Sequence, residues 1–212
     1  MTAFFRKYYK QMDAVLLIIV FALGFSWFYH GYRLRQTQVN IAEKILRFHV
    51  RANSDSSRDQ ELKLKVRDAL GGYMQTKLSG ASDLEECKTI VKENLPQIVH
   101  TAEQVIRQQG YDYPVSASVE TETFPERTYG DYTFPAGDYQ ALHVEIGSGL
   151  GHNWWCVMYP NMCFQGSVYE VPDKEADQQL QQVLSEDEYD AVLKSRRFRI
   201  RFKYLDFLND IF

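Results

Sequence analysis

Positive charge is not in excess in this chain. Twenty-four Lys and Arg stand against 28 Asp and Glu, for a net charge of −4. A general nucleic-acid binder would carry a basic surplus, so that class is disfavoured and no nucleic-acid partner is expected. Internal repeats and low-complexity tracts are absent, which excludes solenoids and disordered linkers. Cysteine is scarce, at three residues, Cys87, Cys156 and Cys163, and an odd count leaves one unpaired. No G-x-G-x-x-G or Gly-Lys-Ser/Thr phosphate loop occurs. What the chain does have is apolar residues at 45% and aromatics at 14%, enough to build a core. At 212 residues it accommodates one domain with appendages.

Arg6, Lys7 and Lys10 precede an apolar run, Ala14–Tyr29. That run is about sixteen residues, short of the roughly twenty that span a bilayer, but it extends through Gly31 and Tyr32. Trp27, Tyr29 and Tyr32 sit where an interfacial aromatic belt would lie. A basic segment before an apolar one also suits a secretory signal, yet no small-x-small cleavage site follows it. Residues 1–32 are therefore read as an uncleaved membrane anchor, with a cleaved signal as the alternative. Export permits disulfides. Cys156 and Cys163 are the expected pair if the chain turns at Pro160-Asn161, and Cys87 falls on a helical pattern as a buried thiol.

Beyond a polar, weakly helical connector at 33–44, the residues Ile45–Val50 form a strand pattern. Ser54 or Asp55 is the expected cap of a helix over 57–78, with Leu62, Val66, Leu70 and Met74 on one face. Ser82 and Glu85 form a capping-box pattern for a second helix, which Pro96 must kink or restart, and Gly110 ends the helical half. From Pro114 the pattern alternates. Strands are expected over 114–124, 129–134 and 139–146, with a glycine-bearing type II turn at 135–138. Leu142, Val144 and Ile146 should face the core. The domain proper is placed at 45–170, followed by a C-terminal segment, 171–212. That segment has an acidic, Gln-rich part with a helix-start pattern at Ser185, then a basic stripe, Arg197, Arg199, Arg201 and Lys203, alternating with apolar residues. The fold class this predicts is α+β: two or three helices on a mainly antiparallel sheet in one domain, plus the N-terminal helix.

The most unusual stretch is Gly147–Cys163, GSGLGHNWWCVMYPNMC. Its glycines read as turn formers that let tryptophans pack closely, not as a phosphate cradle. Cys156 with His143 or His152 could pair a thiol with a base, but a second cysteine seven residues on favours a disulfide. His49, His143 and His152 follow no recognised ligand spacing, so no metal and no cofactor is expected. The carboxylates Glu120, Glu122, Asp131, Asp138 and Glu145 offer material for a cell-wall hydrolase, and nothing singles out two of them. No catalytic residue is assigned. In a strand, one of Trp154 and Trp155 must face the core and the other outward. His152, Asn153, Trp154 and Trp155 are the expected partner-binding segment. The basic stripe suits either a solvated sheet face or anionic headgroups.

Two blocks carry a family resemblance: RFHVRANSDSSRDQELKLKVRDAL (Arg47–Leu70) and FPAGDYQALHVEIGSGLGHNWWCVMYPNMCF (Phe134–Phe164). With them, and with RFKYLDFL (Arg201–Leu208) near the end, the chain resembles the stage II sporulation protein R family over about residues 40–164. Pro160-Asn161-Met162 departs from the Pro-Pro-Leu type of sequence found there. The resemblance implies a protein made in the forespore and exported toward the mother cell. There it activates a membrane-embedded aspartic protease that cleaves the sigma-E precursor. Such a protein is a signal and not an enzyme, and it faces the space between the two cells as a secreted or membrane-anchored chain.

Overall fold

The computed structural model of the chain describes residues 2–160, 162 and 174–193. It falls into two units, Met1–Val39 and Asn40–Phe212. The first belongs to one helix, α1 (Thr2–Ala42). Its segment Met12–Ala42 contains an 18-residue window of mean hydropathy 2.0, none of it buried, and only toward its end does Ile41 enter the core. At 1.5 Å per residue this segment exceeds the roughly 30 Å of a hydrocarbon core, and the same composition suits a signal sequence. The connector expected at 33–44 is helical as far as Ala42.

The second unit runs β1 (Leu46–Arg51), α2 (Ser57–Leu78), α3 (Leu84–Glu93), α4 (Leu95–Gln108), β2 (Val115–Phe124), β3 (Arg127–Tyr129), β4 (Tyr132–Phe134), β5 (Gly137–Ile146), β6 (Asn153–Tyr159), α5 (Lys174–Val183) and α6 (Glu186–Leu193). The main sheet has the order β2-β5-β1-β6. β2 with β5 and β1 with β6 are antiparallel, while the central pair, β1 with β5, is parallel. A parallel pair needs a long crossover, and α2 to α4 lie within it. The α+β class with helices on a mostly antiparallel sheet is thus realised, as a mixed sheet.

Strand alternation gives the sheet two faces. Phe48, Val50, Leu142, Val144, Ile146, Trp154, Cys156 and Met158 meet Leu62, Val66, Leu70 and Met74 of α2, with Cys87, Val91, Ile98 and Ile106 of α3 and α4, in the larger core. Burying four such residues along α2 contributes about 1.5–3 kcal/mol each. Interior Gly71 and Gly72 cost about 1 kcal/mol each, so the helix continues through them. On the other face, Phe124, Tyr139, Ala141 and Val157 pack with Tyr132 and Phe134 of β4 and with Leu180, Leu184 and Val192 of α5 and α6. The acidic segment after residue 171 thereby lends apolar side chains to the core.

Local signals shift by a residue or two. The cap of α2 is Ser56, whose hydroxyl accepts from Asp59 N–H at 3.2 Å. Ser54 and Asp55 are occupied elsewhere. Asp83, not Ser82, caps α3, accepting from Glu86 N–H at 2.9 Å, while Ser82 N–H donates to the Glu86 carboxylate. Pro96 restarts the helix, at the first turn of α4. The strand expected at 129–134 is instead the β3–β4 hairpin, because Gly130, at φ 58°, reverses the chain. Gly137 does not take the positive φ of a type II turn and begins β5. Ser185 caps α6 as expected, its hydroxyl accepting from Glu188 N–H at 3.4 Å while its own N–H donates to the Glu188 carboxylate at 2.8 Å. The basic stripe Arg197–Lys203 lies outside the described residues.

Candidate functional site

The two sequence blocks that stand out are one structural unit. The loop after β5 folds onto the turn after β1. Ser148 N–H donates to Asn53 Oδ1 at 3.0 Å and its hydroxyl to Asn53 O at 2.7 Å. Leu150 N–H and Gly151 N–H donate to the carbonyls of Asn53 and Ala52. His152 N–H donates to Asp55 at 2.6 Å, and its ring Nδ1 meets the same carboxylate. These bonds to His152 hold the Asp55 carboxyl below its usual range. Behind the turn, Asp59 accepts from Ser54 and Asn53, which outweighs its burial and holds its pKa down. Lys63 closes the unit on His152 O at 2.9 Å.

The glycines serve this contact. Gly147 and Gly149 take φ 63° and 61°, and a Cβ on Gly151 would overlap the Ser54 carbonyl. Every loop N–H named above is spent on the facing turn, which removes the donors a phosphate cradle would need. Leu150, at 81% exposed, sits on this loop.

Of the expected partner-binding residues, Trp154 is in the helix-side core, edge-on to Phe48 at 5.5 Å and beneath the Arg67 guanidinium at 5.1 Å. Trp155 points to the other face. His152 is exposed, and Asn153 and Trp155 are half-buried. Asn153 Oδ1 accepts from Arg51 at 3.0 Å. Cys87 is a buried free thiol, pushed up to about 12 by that burial. Cys163 lies outside the described residues.

The second sheet face carries an array that sequence spacing does not reveal. Register sets His49 of β1 between His143 of β5 and Trp155 of β6. The three rings stack: His49 to His143 at 4.3 Å and His49 to Trp155 at 5.0 Å. β2 adds Glu120 and Glu122. His143 Nδ1 lies 3.0 Å from an oxygen of each. Glu122 Oε2 is 2.8 Å from His49 Nε2, but off the line of an N–H bond, and both nitrogens of this fully buried ring lack a hydrogen-bond partner. Glu145 stands 3.7 Å from His143 Nε2 and from Arg51. Burial, then the nearby His143 and Arg51, lowers the His49 pKa to about 3, so the ring is neutral at pH 7. His49, Glu122 and His143 each present a ligand atom within 4.8 Å of the others. His152 is not among them. The residues are 49, 122 and 143 in sequence, and only the strand order β2-β5-β1 gathers them. The alternation of Glu120 and Glu122, and of His143 and Glu145, was the available signal.

Two relationships to known proteins bear on the chain. A profile of the family described as "Stage II sporulation protein R" matches residues 42–169. The protein named "Stage II sporulation protein R" of Bacillus subtilis (strain 168) is 30% identical over 188 residues, covering 82% of this chain and 84% of that protein. No solved structure matches the chain.

Proposed function

The chain belongs to the stage II sporulation protein R family, and from that premise we propose that it is an exported signal of endospore formation. In this reading it is made in the forespore and held in, or released from, the membrane through α1. It faces the space between forespore and mother cell, and it activates the membrane-embedded aspartic protease that processes the sigma-E precursor. Family membership carries the proposal, and the exposed apolar window within the helix Met12–Ala42 supports it. The chain acts by binding and performs no chemistry of its own. A ligand activates only by holding the active state more tightly than the inactive one. Moving the protease from 1% to 99% active takes about a 10⁴-fold preference. The contact is proposed at His152, Asn153 and Trp155, with the exposed Leu150 beside them. The loop is held in place by the Asn53–Asp55 turn, so little ordering entropy opposes binding. A bridge from Cys156 to Cys163 closes the chain beyond β6.

Co-expression in a non-sporulating bacterium tests this. With the protease and precursor in the cytoplasmic membrane and the chain exported, the precursor should be cleaved only when all three are present. No cleavage, or release of soluble fragments from purified cell wall by the chain alone, would overturn the reading. Photo-crosslinkers at 150, 152, 153 and 155 should label the protease. Labelling that avoids these positions would remove the contact while leaving the activation role to stand on the cleavage assay.

A further inference from the structure

The stacked histidines are unusual for what they lack. His49 is wholly buried, yet neither ring nitrogen makes a hydrogen bond. A buried imidazole without partners costs on the order of 1–3 kcal/mol, which a fold tolerates where something else uses the lone pair. The partners that do stand nearby are carboxylates. Glu122 offers one oxygen toward each histidine, at 2.8 and 3.0 Å, so both rings turn a nitrogen to the same edge. Three glutamates, Glu120, Glu122 and Glu145, gather there, and Arg51 lies 3.7 Å from the same Glu145 oxygen that faces His143.

We propose that His49, His143 and Glu122 form a binding site for a borderline divalent transition-metal ion of the zinc class, with Glu145 as the carboxylate that orients His143. Two imidazoles and one carboxylate suit zinc, whereas magnesium and calcium take oxygen-only shells. A tetrahedral ion with bonds of about 2.0–2.2 Å holds its ligand atoms roughly 3.4 Å apart. The three atoms here lie within 4.8 Å, so side-chain rotation gathers them. A ligating histidine usually gives its other N–H to a carboxylate; His143 Nε2 is buried without a hydrogen-bond partner, and Glu145, 3.7 Å away, is the carboxylate beside it. Glu120 is the reserve ligand, at 3.0 Å from His143 Nδ1. Trp155 covers the second face of His49, which fixes that ring. The ion would tie β2 to β1 across β5 and leave one coordination position for water or a partner's side chain.

The test uses the full, untagged chain in detergent micelles, stripped with a chelator and titrated with Zn(II) against a chromophoric competitor. One equivalent of Zn(II) should bind and raise the melting temperature, and Mg(II) and Ca(II) should not compete. Glu145→Gln should weaken binding about 10–100-fold, and Glu122→Gln and His143→Gln at least as much. Cys87→Ser should leave the Zn(II) affinity unchanged. Co(II) in the wild-type chain should give visible ligand-field bands without thiolate charge transfer, a readout independent of whether any variant folds. Absence of stoichiometric binding, equal affinity in Glu122→Gln and His143→Gln, or a thiolate band would overturn the proposal.

Discussion

The Asp55 carboxylate accepts the backbone N–H of His152 at 2.6 Å, joining residues 97 positions apart. That bond is one of a set that makes the turn after β1 and the loop after β5 a single body. Truncating Asn53 should therefore disturb both. Its Oδ1 accepts from Ser148 and its Nδ2 donates to the Asp59 carboxylate at 2.9 Å. Asn53→Ala should cost about 1–3 kcal/mol, because those groups are left without partners. Gly151→Ala should cost at least as much, since the new Cβ meets main chain that cannot swing aside. Urea denaturation measures both. Hydrogen exchange should show the loss of protection at Leu150 and Gly151 in either variant, and unchanged protection there would show that the two loops are independent.

Arg47 makes a second prediction. Its side chain is wholly buried, with the guanidinium 4.6 Å from the Phe124 ring and 5.1 Å from that of Tyr139. It donates to Cys156 O at 3.0 Å and to the Tyr129 hydroxyl at 3.1 Å. Burial lowers its pKa, and Tyr129 and Tyr139 partly offset the fall. Each cation–π contact contributes up to about 2 kcal/mol when desolvated, and the desolvation itself costs several. Those terms nearly cancel, which leaves volume as the deciding quantity. Arg47→Ala should lose about 3–5 kcal/mol through the cavity and the stranded Tyr129 hydroxyl. Arg47→Met keeps most of the volume but strands the same Tyr129 hydroxyl, so it should lose only about 1–3 kcal/mol. Equal losses for the two would show that charge, not filling, holds the site.

Where α5 and α6 meet the sheet, Tyr132 and Tyr189 both donate to Asp177. The bond from Tyr132, with that from Tyr189, lowers the Asp177 pKa below its ordinary 3.8. Burial, then the bond to Asp177, raises the Tyr132 pKa above its ordinary 10.0. A depressed carboxyl contributes stability that is present above pH 3.8 and is lost as pH falls further. A raised phenol contributes stability that is present below pH 10 and is lost as pH climbs above it. Stability from this contact should be flat between those limits and fall on both sides. Denaturation across the pH range should show both limbs, and Tyr132→Phe should flatten the alkaline one. An unchanged alkaline limb in Tyr132→Phe would rule the contact out as its source.

Much of this fold is written in short-range pattern. The periodicity of Leu62, Val66 and Leu70 predicts α2, and the alternation of Leu142, Val144 and Ile146 predicts both β5 and its buried face. Adjacent tryptophans on a strand must part, and Trp154 and Trp155 do. The β1–β5 parallel pairing is different, because nothing near Arg47 or Ala141 announces a partner 94 positions away in sequence. The histidine cluster inherits that opacity. His49, Glu122 and His143 show no ligand spacing because their spacing is that of sheet order, a long-range property. The caps missed by one or two residues for a local reason: Ser54, Asp55, Ser56, Ser82 and Asp83 all carry an oxygen able to accept from the N–H groups of a helix start. The tertiary contacts of Asp55 with His152 decide which of the first three remains free to cap.

The cysteines supply the last prediction. Cys87 is buried in the helix-side core, with its thiol pushed up to about 12 by burial. It should resist alkylation in the native chain, because the reactive thiolate is scarce and the sulfur is enclosed. In denaturant without reductant one site per chain should label, and after reduction three. The difference reports the proposed Cys156–Cys163 bridge by mass. Closing so short a loop contributes about 2.5 kcal/mol on the chain-entropy account, so reduction should lower the stability by that order. Cys156 sits in the same core as Cys87, at 2% exposed, and its strand neighbour Trp155 stacks on His49. Loss of the bridge should therefore loosen the end of β6 first, where Met158 and Tyr159 pack, and leave the Asn53–Ser148 contact protected. Three labels without reductant would show that no bridge exists, and the end of β6 would then rest on packing alone.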